Sequence, residues 1–399
     1  MVNTSVEIVG IKFKNPVLTA AGPPSRSGEA LRVAARGGAG GLVAKTVSLK
    51  PARVPRPCMA VVDRGLSISD IGLSVGGRFV RISKSMVQLP HGFLNTELWS
   101  DVPYQQWIAK EYKLARETGL PVIASVGYAP EEVSKLGPLI EKAGVNGIEF
   151  STHYTGFDPK PIAEVAKTLK ESVNIPIFAK LSPHVQDIAL FAKAVERYVD
   201  GVVAINTYGP TLHIDIETGK PQLGSESGYG WLSGPALKPI AIRCVADVAR
   251  AVKVPVMGVG GILSGLDAIE HIMAGAWAVQ ICTGAILEGP SIYRRVAKEI
   301  EEFLKKHGYD SLEDIRGMAL KHLPSAPLRT SALSPKVDEN LCTGCGICKT
   351  SCVYDAIEIT EDPSTGRLFS FTYEDKCYGC GLCISICPQR ARYFEEASL

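Results

Sequence analysis

Apolar residues in the first three quarters of the chain come in short, nearly unbroken runs: PVLTAA (16–21), GLVAKT (41–46), PVIASVG (121–127), GIEFS (147–151), IPIFAKLS (175–182), GVVAINT (201–207), VPVMGVGG (254–261) and AVQICTG (278–284). Little polar alternation interrupts them, which predicts strands covered on both faces. Between the runs, apolar positions recur every three or four residues, as in DIALFAKAVERYV (187–199). In SGLDAIEHIMAGA (264–276), Ser264 is placed to cap a helix whose Leu266, Ile269, Ile272 and Met273 share one face. Eight strands alternating with helices predict an α/β fold, a (β/α)8 TIM barrel over residues 1–310, rather than an open doubly wound sheet. The connection from 47 to 120 is too long for one crossover helix and is expected to fold over the barrel mouth.

After Gly308 the pattern changes. HLPSAPLRTSALSP (322–335) is rich in Pro, Ser and Thr and predicts a linker over 311–335, followed by a smaller α+β domain at 336–399. Of the 11 cysteines, eight fall between 342 and 387, as Cys342-x2-Cys345-x2-Cys348-x3-Cys352 and Cys377-x2-Cys380-x2-Cys383-x3-Cys387-Pro388. This is the doubled run of a bacterial-type ferredoxin, in which the fourth cysteine of each set ligates the other set's cluster. Cys342, Cys345, Cys348 and Cys387 are expected to hold one [4Fe–4S] cluster, and Cys377, Cys380, Cys383 and Cys352 the second. Zinc ribbons do not usually reach eight thiolates in two similar halves. Val353 stands where the run normally has proline, a turn-shaping position and not a ligand. Cys58, Cys244 and Cys282 are scattered and read by themselves as small buried side chains.

Composition narrows the function classes. The chain has 43 Lys and Arg against 41 Asp and Glu, with no basic block and no aromatic–basic interleaving, which argues against nucleic acid as a partner. MVNTSVEIVG lacks the basic start and apolar core of a signal peptide, and no apolar run approaches membrane-spanning length, so a cytoplasmic protein is expected, with no membrane partner. Its expected partners are a small-molecule substrate and other proteins.

A ferredoxin domain moves single electrons and does little organic chemistry, so the barrel must supply it. Loops after strands seven and eight of such barrels commonly hold phosphate. Here they are GVGGI (258–262), with Ser264 opening the next helix, and CTGA (282–285), small residues that let backbone N–H groups approach an anion. Lys45 and Lys180 end otherwise apolar runs at the barrel mouth, where an ammonium needs an anion or an electron-rich ring. A phosphate-bearing cofactor that exchanges electrons with clusters and hydride with organic substrates points to FMN.

With these motifs the chain resembles the dihydroorotate and dihydropyrimidine dehydrogenase family, and is most similar to the flavin barrel and carboxyl-terminal ferredoxin domain of dihydropyrimidine dehydrogenases. The resemblance rests on NPVLTAAGP, AKTVSL (44–49), GFLNTELWS (92–100), FAKLSP (178–183), INT (205–207), SGPALKPIAIR (233–243), GVGGI and QICTGAI, with the doubled cysteine run. It implies that Ala20, Ala21, Gly22, Lys45, Thr46, Lys180, Gly234, Gly260, Gly261, Cys282 and Thr283 line FMN, and that Asn95, Asn206 and Thr207 face the substrate. It also implies an oxidoreductase acting on a polarised C=C bond of a cyclic amide such as uracil or thymine. No NAD site is evident, so electrons are expected from a partner, an NAD(P)H flavoprotein subunit or a ferredoxin, and a homo- or hetero-oligomer is expected.

One stretch departs from the family. After GIEF the family usually has Asn-Leu-Ser-Cys-Pro, its asparagine touching substrate and flavin and its cysteine acting as general acid or base. Here an ungapped alignment puts Ser151 at the asparagine, His153 at the serine and Tyr154 at the cysteine. Tyr154 is the expected proton donor, since a phenol stays protonated at neutral pH. His153 orients it, or replaces it if the register shifts by one. The altered stretch leaves two alternatives open: another conjugated carbonyl compound or thioester as substrate, or an electron-relay subunit whose barrel has lost its chemistry. The segment 65–92 is longer than the family's lid and is expected to reshape the pocket.

Overall fold

Each of the eight apolar runs contains a strand in the computed structural model: β1 (Val17–Thr19), β2 (Leu42–Val43), β3 (Val122–Val126), β4 (Gly147–Ser151), β5 (Ile177–Leu181), β6 (Gly201–Ala204), β7 (Val256–Val259) and β8 (Ala278–Ile281). The structure describes residues 2–62, 91–151, 156–323 and 333–395, with the backbone of the short strands Ser74–Val75 and Arg78–Phe79. From β2 to β8 each strand pairs in parallel with the next, and β8 pairs with β1. The ring closes between β1 and β2 through the parallel bridge Leu18–Gly41. At that seam the Thr19 hydroxyl donates to the Val43 carbonyl at 2.9 Å and accepts from the Val43 N–H at 2.7 Å, so a side chain stands in for the ladder.

Burial on both faces follows from the lack of alternation in these runs. Leu18, Ile123, Phe178, Val203, Met257 and Ala278 pack inside the barrel, joined by Val6, Ile8, Ile11 and Phe13 from the amino-terminal hairpin Val6–Ile8/Ile11–Phe13. A second core lies between strands and helices, and includes Trp107, Tyr112, Phe150, Phe191 and Tyr293. Helix ends obey their local chemistry. Asp187 caps Ile188–Glu196 by accepting from Ala189 and Leu190 N–H, and Ser27 caps Gly28–Arg36.

Two long insertions build a second sheet. Met59–Val62 and Gly92–Asn95 come from the connection before β3, while Tyr208–Thr211 and Gly230–Ser233 follow β6. They form one antiparallel sheet in the order Tyr208–Thr211, Gly230–Ser233, Gly92–Asn95, Met59–Val62. Much of segment 65–92, expected to reshape the pocket, lies outside the described residues.

The chain divides into two units, Met1–Leu323 and Pro324–Leu399. Residues 311–323, expected to be linker, instead belong to the barrel unit. Leu312 and Ile315 are buried in its core, Gly317 N–H donates to the Ile272 carbonyl at 3.0 Å, and the Arg316 guanidinium lies 4.0 Å from the Trp277 ring. Their apolar side chains account for the packing; residues 324–332 lie outside the described residues.

The second unit repeats a small plan. Gly346 and Gly381, both left-handed, open the short helices Ile347–Thr350 and Leu382–Ser385 after the second cysteine of each set. A hairpin, Ile357–Glu361 with Leu368–Thr372, lies between the sets in sequence, and Lys336–Val337 pairs with Arg392–Tyr393. Among the described residues, no helix is long and apolar enough to cross a membrane.

Candidate functional site

The strand ends converge on a cavity of about 500 Å³. Ala20, Ala21 and Gly22 follow β1, Lys45 and Thr46 follow β2, and Lys180 sits in β5; all six line it. Gly260 and Gly261 after β7, Cys282 and Thr283 after β8, and Gly234 after the Gly230–Ser233 strand also line it. Asn95, Ser151, Asn206 and Thr207 face the same space. His153 and Tyr154 lie outside the described residues, as do Thr152 and Thr155.

Bare backbone forms one wall. Gly260 has φ +128° and Gly261 φ +75°, and a Cβ on Gly261 would stand 2.4 Å from the Lys238 Cβ, so the loop lies directly against the helix Lys238–Ala251. Buried His271 fixes this loop from behind: its Nε2 donates to the Gly260 carbonyl at 3.0 Å, and among the described residues its Nδ1 has no hydrogen-bond partner. Burial pushes the His271 pKa down to about 4. Ser264, expected to cap the helix that follows the glycine loop, does so, forming a capping box with Asp267 at the start of Gly265–Met273. The cavity loops are therefore Gly260–Gly261 and Cys282–Thr283. The Thr283 hydroxyl lies 2.8 Å from that of Ser233, and burial raises the Cys282 thiol to about 11, so it is neutral.

Each strand-end lysine is matched by a carboxylate that sequence reasoning passed over. Lys45 Nζ donates to Glu97 Oε2 at 2.9 Å, and Glu97 lines the cavity. Cys58 donates to Glu97 Oε1 at 3.4 Å, and Arg56 lies 3.9 Å from it. Lys180 Nζ donates to Gln280 Oε1 at 3.2 Å and stands 3.6 Å from Glu149 Oε1, while Gln280 Nε2 donates to Glu149 Oε2 at 2.7 Å. Glu149 is fully buried, and among the described residues its Oε1 has no hydrogen bond of its own. Both charges of the Lys180–Glu149 pair are withdrawn from water, so each needs the other.

The remaining polar side chains are held by the second sheet and by β4. Asn95 Nδ2 donates to the Trp231 carbonyl at 3.1 Å and its Oδ1 accepts from Glu97 N–H at 3.2 Å. Asn206 Nδ2 donates to the Ser151 hydroxyl at 2.9 Å, and its Oδ1 accepts from Thr207 N–H at 2.8 Å. Anchored amides of this kind present fixed donors and acceptors to a planar ring.

This cavity fits FMN. Its size suits a cofactor, its glycine loops admit an anion to backbone N–H groups, and Lys45 and Lys180 can meet electron-rich ring atoms.

In the second unit, Cys348, Cys352, Cys377, Cys380 and Cys383 line one small cavity, which brings the fourth cysteine of the first run beside the second set. Backbone N–H groups aim at sulfur: Ala356 at Cys352 and Gly379 at Cys377, both at 3.4 Å, and Ala391 at Cys387 at 3.3 Å. Burial opposes ionisation of Cys342, yet the amides of Gly344 and Ser370, the Ser370 hydroxyl and Arg392 outweigh it and hold the thiol below its ordinary value. Sulfur donors with amide and guanidinium support fit iron–sulfur clusters.

Comparison with known proteins agrees with both units. The dihydroorotate dehydrogenase family matches residues 153–304, and a 4Fe-4S dicluster domain matches residues 335–392. The chain is 36% identical over 332 residues to the catalytic subunit of dihydroorotate dehydrogenase B (NAD(+)) of Pyrococcus abyssi, covering 79% of this chain and 99% of that one. The subunits of the same name from Methanothermobacter thermautotrophicus and Methanocaldococcus jannaschii are 34% and 36% identical, over 80% and 78% of this chain and 98% and 96% of their own lengths. With relatives matched over nearly their whole length, the chain belongs to the dihydroorotate dehydrogenase family of oxidoreductases and carries a 4Fe–4S dicluster domain at its carboxyl end.

Proposed function

We propose that this chain binds FMN in the barrel cavity and two [4Fe–4S] clusters in the cysteine unit. On this reading it reduces, or in reverse oxidises, a polarised C=C bond of an uncharged pyrimidine-like cyclic amide. Cys342, Cys345, Cys348 and Cys387 hold one cluster, and Cys377, Cys380, Cys383 and Cys352 the other. Bound flavin supplies hydride exchange with the substrate and single-electron exchange with the clusters.

The observation that carries the substrate class is Glu97. It places a carboxylate on the cavity wall against Lys45, and Glu149 offsets Lys180, so neither ammonium is left over for an anionic substrate. A carboxylate oxygen accepts the N–H of a cyclic amide, and Asn95 and Asn206 complete a polar edge suited to such a ring. On the opposite face a proton must reach or leave the carbon, and Tyr154 is the proposed donor, with His153 orienting it. Electrons arrive from a separate protein, an NAD(P)H flavoprotein subunit or a ferredoxin. The relatives are named as NAD(+)-dependent catalytic subunits, which favours the former.

Their name also supplies a second reading, dihydroorotate as substrate. It requires a site for the ring's carboxylate, which Glu97 disfavours. Anaerobic titration of the reduced full-length protein with uracil, thymine, orotate and a panel of enones and thioesters, followed by flavin reoxidation, separates the readings. Reoxidation by uracil or thymine is expected. Reoxidation by orotate alone establishes the second reading; an enone or thioester alone moves the substrate class; reoxidation by none makes the barrel an electron relay.

A further inference from the structure

A guanidinium is buried between the two cysteine sets without an acid to answer it. Arg392 is 2% exposed, and among the described residues no Asp or Glu pairs with it. Its Nη1 donates to Cys383 Sγ at 3.3 Å, its Nε to the Ser370 hydroxyl at 3.2 Å, and its Nη2 to the Thr372 hydroxyl at 2.9 Å. Ser370 turns the contact towards the other set: its N–H donates to Cys342 Sγ at 3.4 Å, and its hydroxyl lies 3.7 Å from the same sulfur. Cys383 belongs to the second cysteine run and Cys342 to the first, so one side chain addresses both.

A guanidinium stays charged at any working pH, and burying it is costly unless a counter-charge is close. Serine and threonine hydroxyls are neutral. The counter-charge must therefore reside on sulfur, as it does when these cysteines are cluster thiolates.

We propose that Arg392 is a tuning residue that raises the reduction potentials of both clusters, more strongly for the one held by Cys383. The inference rests on the two-cluster reading of the cysteine unit. Adding an electron makes a cluster more negative, so a fixed positive charge and an N–H···S bond favour the reduced form. Cys383 receives the bond directly, whereas Cys342 receives it through Ser370. The two clusters, similar in sequence, are thereby made unequal, and an arriving electron settles preferentially on the one bonded to Arg392.

The test is an EPR-monitored redox titration of the full-length protein, reconstituted anaerobically, as the parent and as Arg392→Gln, Arg392→Lys and Thr372→Val. Arg392→Gln is expected to disfavour reduction of one cluster by about tenfold or more, about 59 mV for a one-electron couple, and of the other by less. Arg392→Lys keeps the charge and loses the fork, and should recover part of the shift. Thr372→Val frees one anchor and should give a smaller shift of the same sign. Unchanged potentials in Arg392→Gln with a full iron and sulfide count overturn the proposal. So does loss of clusters in Arg392→Gln combined with unchanged potentials in Thr372→Val, which makes the arginine structural only. If the parent itself binds well short of about eight irons, the two-cluster reading fails instead, and the iron count distinguishes that failure from the first.

Discussion

Glu149 and Lys180 meet inside the barrel wall at 3.6 Å, one on β4 and the other on β5, with Gln280 of β8 bonded to both. The register pairs Ser151 with Lys180, so Glu149 lies two residues before Lys180's direct partner and its side chain shares the same face. Removing only the carboxylate leaves a buried ammonium without its counter-charge. Glu149→Gln is expected to lower unfolding stability by about 3 kcal/mol, measured by urea denaturation of the flavin-free protein. Glu149→Gln combined with Lys180→Met should restore much of the loss. Strict additivity of the two changes would show that the pair is not coupled.

Glu97→Gln keeps the shape of the cavity wall and removes the charge opposite Lys45. Uracil is expected to bind about tenfold or more weakly, in line with a lost charge-assisted hydrogen bond, while orotate binding improves. Perturbation of the visible flavin spectrum on titration reads both. Equal uracil affinity in parent and variant would remove Glu97 from the substrate edge.

His271 makes the barrel sensitive to acid. Its pKa is held at about 4 by burial, against an ordinary value of 6.5. Below pH 6.5 the unfolded chain takes up a proton that the folded chain refuses, so the stability present above pH 6.5 declines as pH falls towards 4. The full decline is about 3 kcal/mol. His271→Asn should flatten this part of the stability profile, read by thermal melts across pH. An unchanged slope would place the acid sensitivity elsewhere.

Tyr154→Phe is expected to slow flavin reoxidation by substrate by roughly 10²–10⁴-fold and to leave flavin reduction through the clusters intact. His153→Asn should cost less if histidine orients the phenol, and more if histidine is the donor. Stopped-flow absorbance separates the two half-reactions. Parent rates in both variants would leave this stretch without a part in proton transfer.

The barrel was legible because strands buried on both faces cannot hide their composition. The same logic that singled out Lys45 and Lys180 applies to Glu149 and Gln280, polar residues inside the apolar runs GIEFS and AVQICTG, which a search for the partner of Lys180 would have found. Glu97 was less accessible, because it reaches Lys45 only after Gly92–Asn95 pairs with Gly230–Ser233, a long-range event that local pattern does not encode. Ser264 was legible as a helix cap, and Asp267 at the third helical position completes the capping box there. Residues 311–323 were assigned to the linker on the strength of the Pro- and Ser-rich stretch beginning at 322, although Leu312 and Ile315 already offered an apolar face.

The cavity wall opposite the strand ends has two authors. Asn95 and Trp231 stand directly across from each other in the second sheet, with the Asn95 amide bonded to the Trp231 backbone, yet 136 residues separate them in the chain. The barrel strands that carry Lys45, Lys180 and the glycine loops do not supply this pairing. A lineage can therefore exchange one substrate for another by rewriting both insertions together while the electron-handling machinery stays as inherited. Rewriting one alone breaks the register that aims Asn95, so changes of specificity in such chains should appear as matched substitutions in the two insertions.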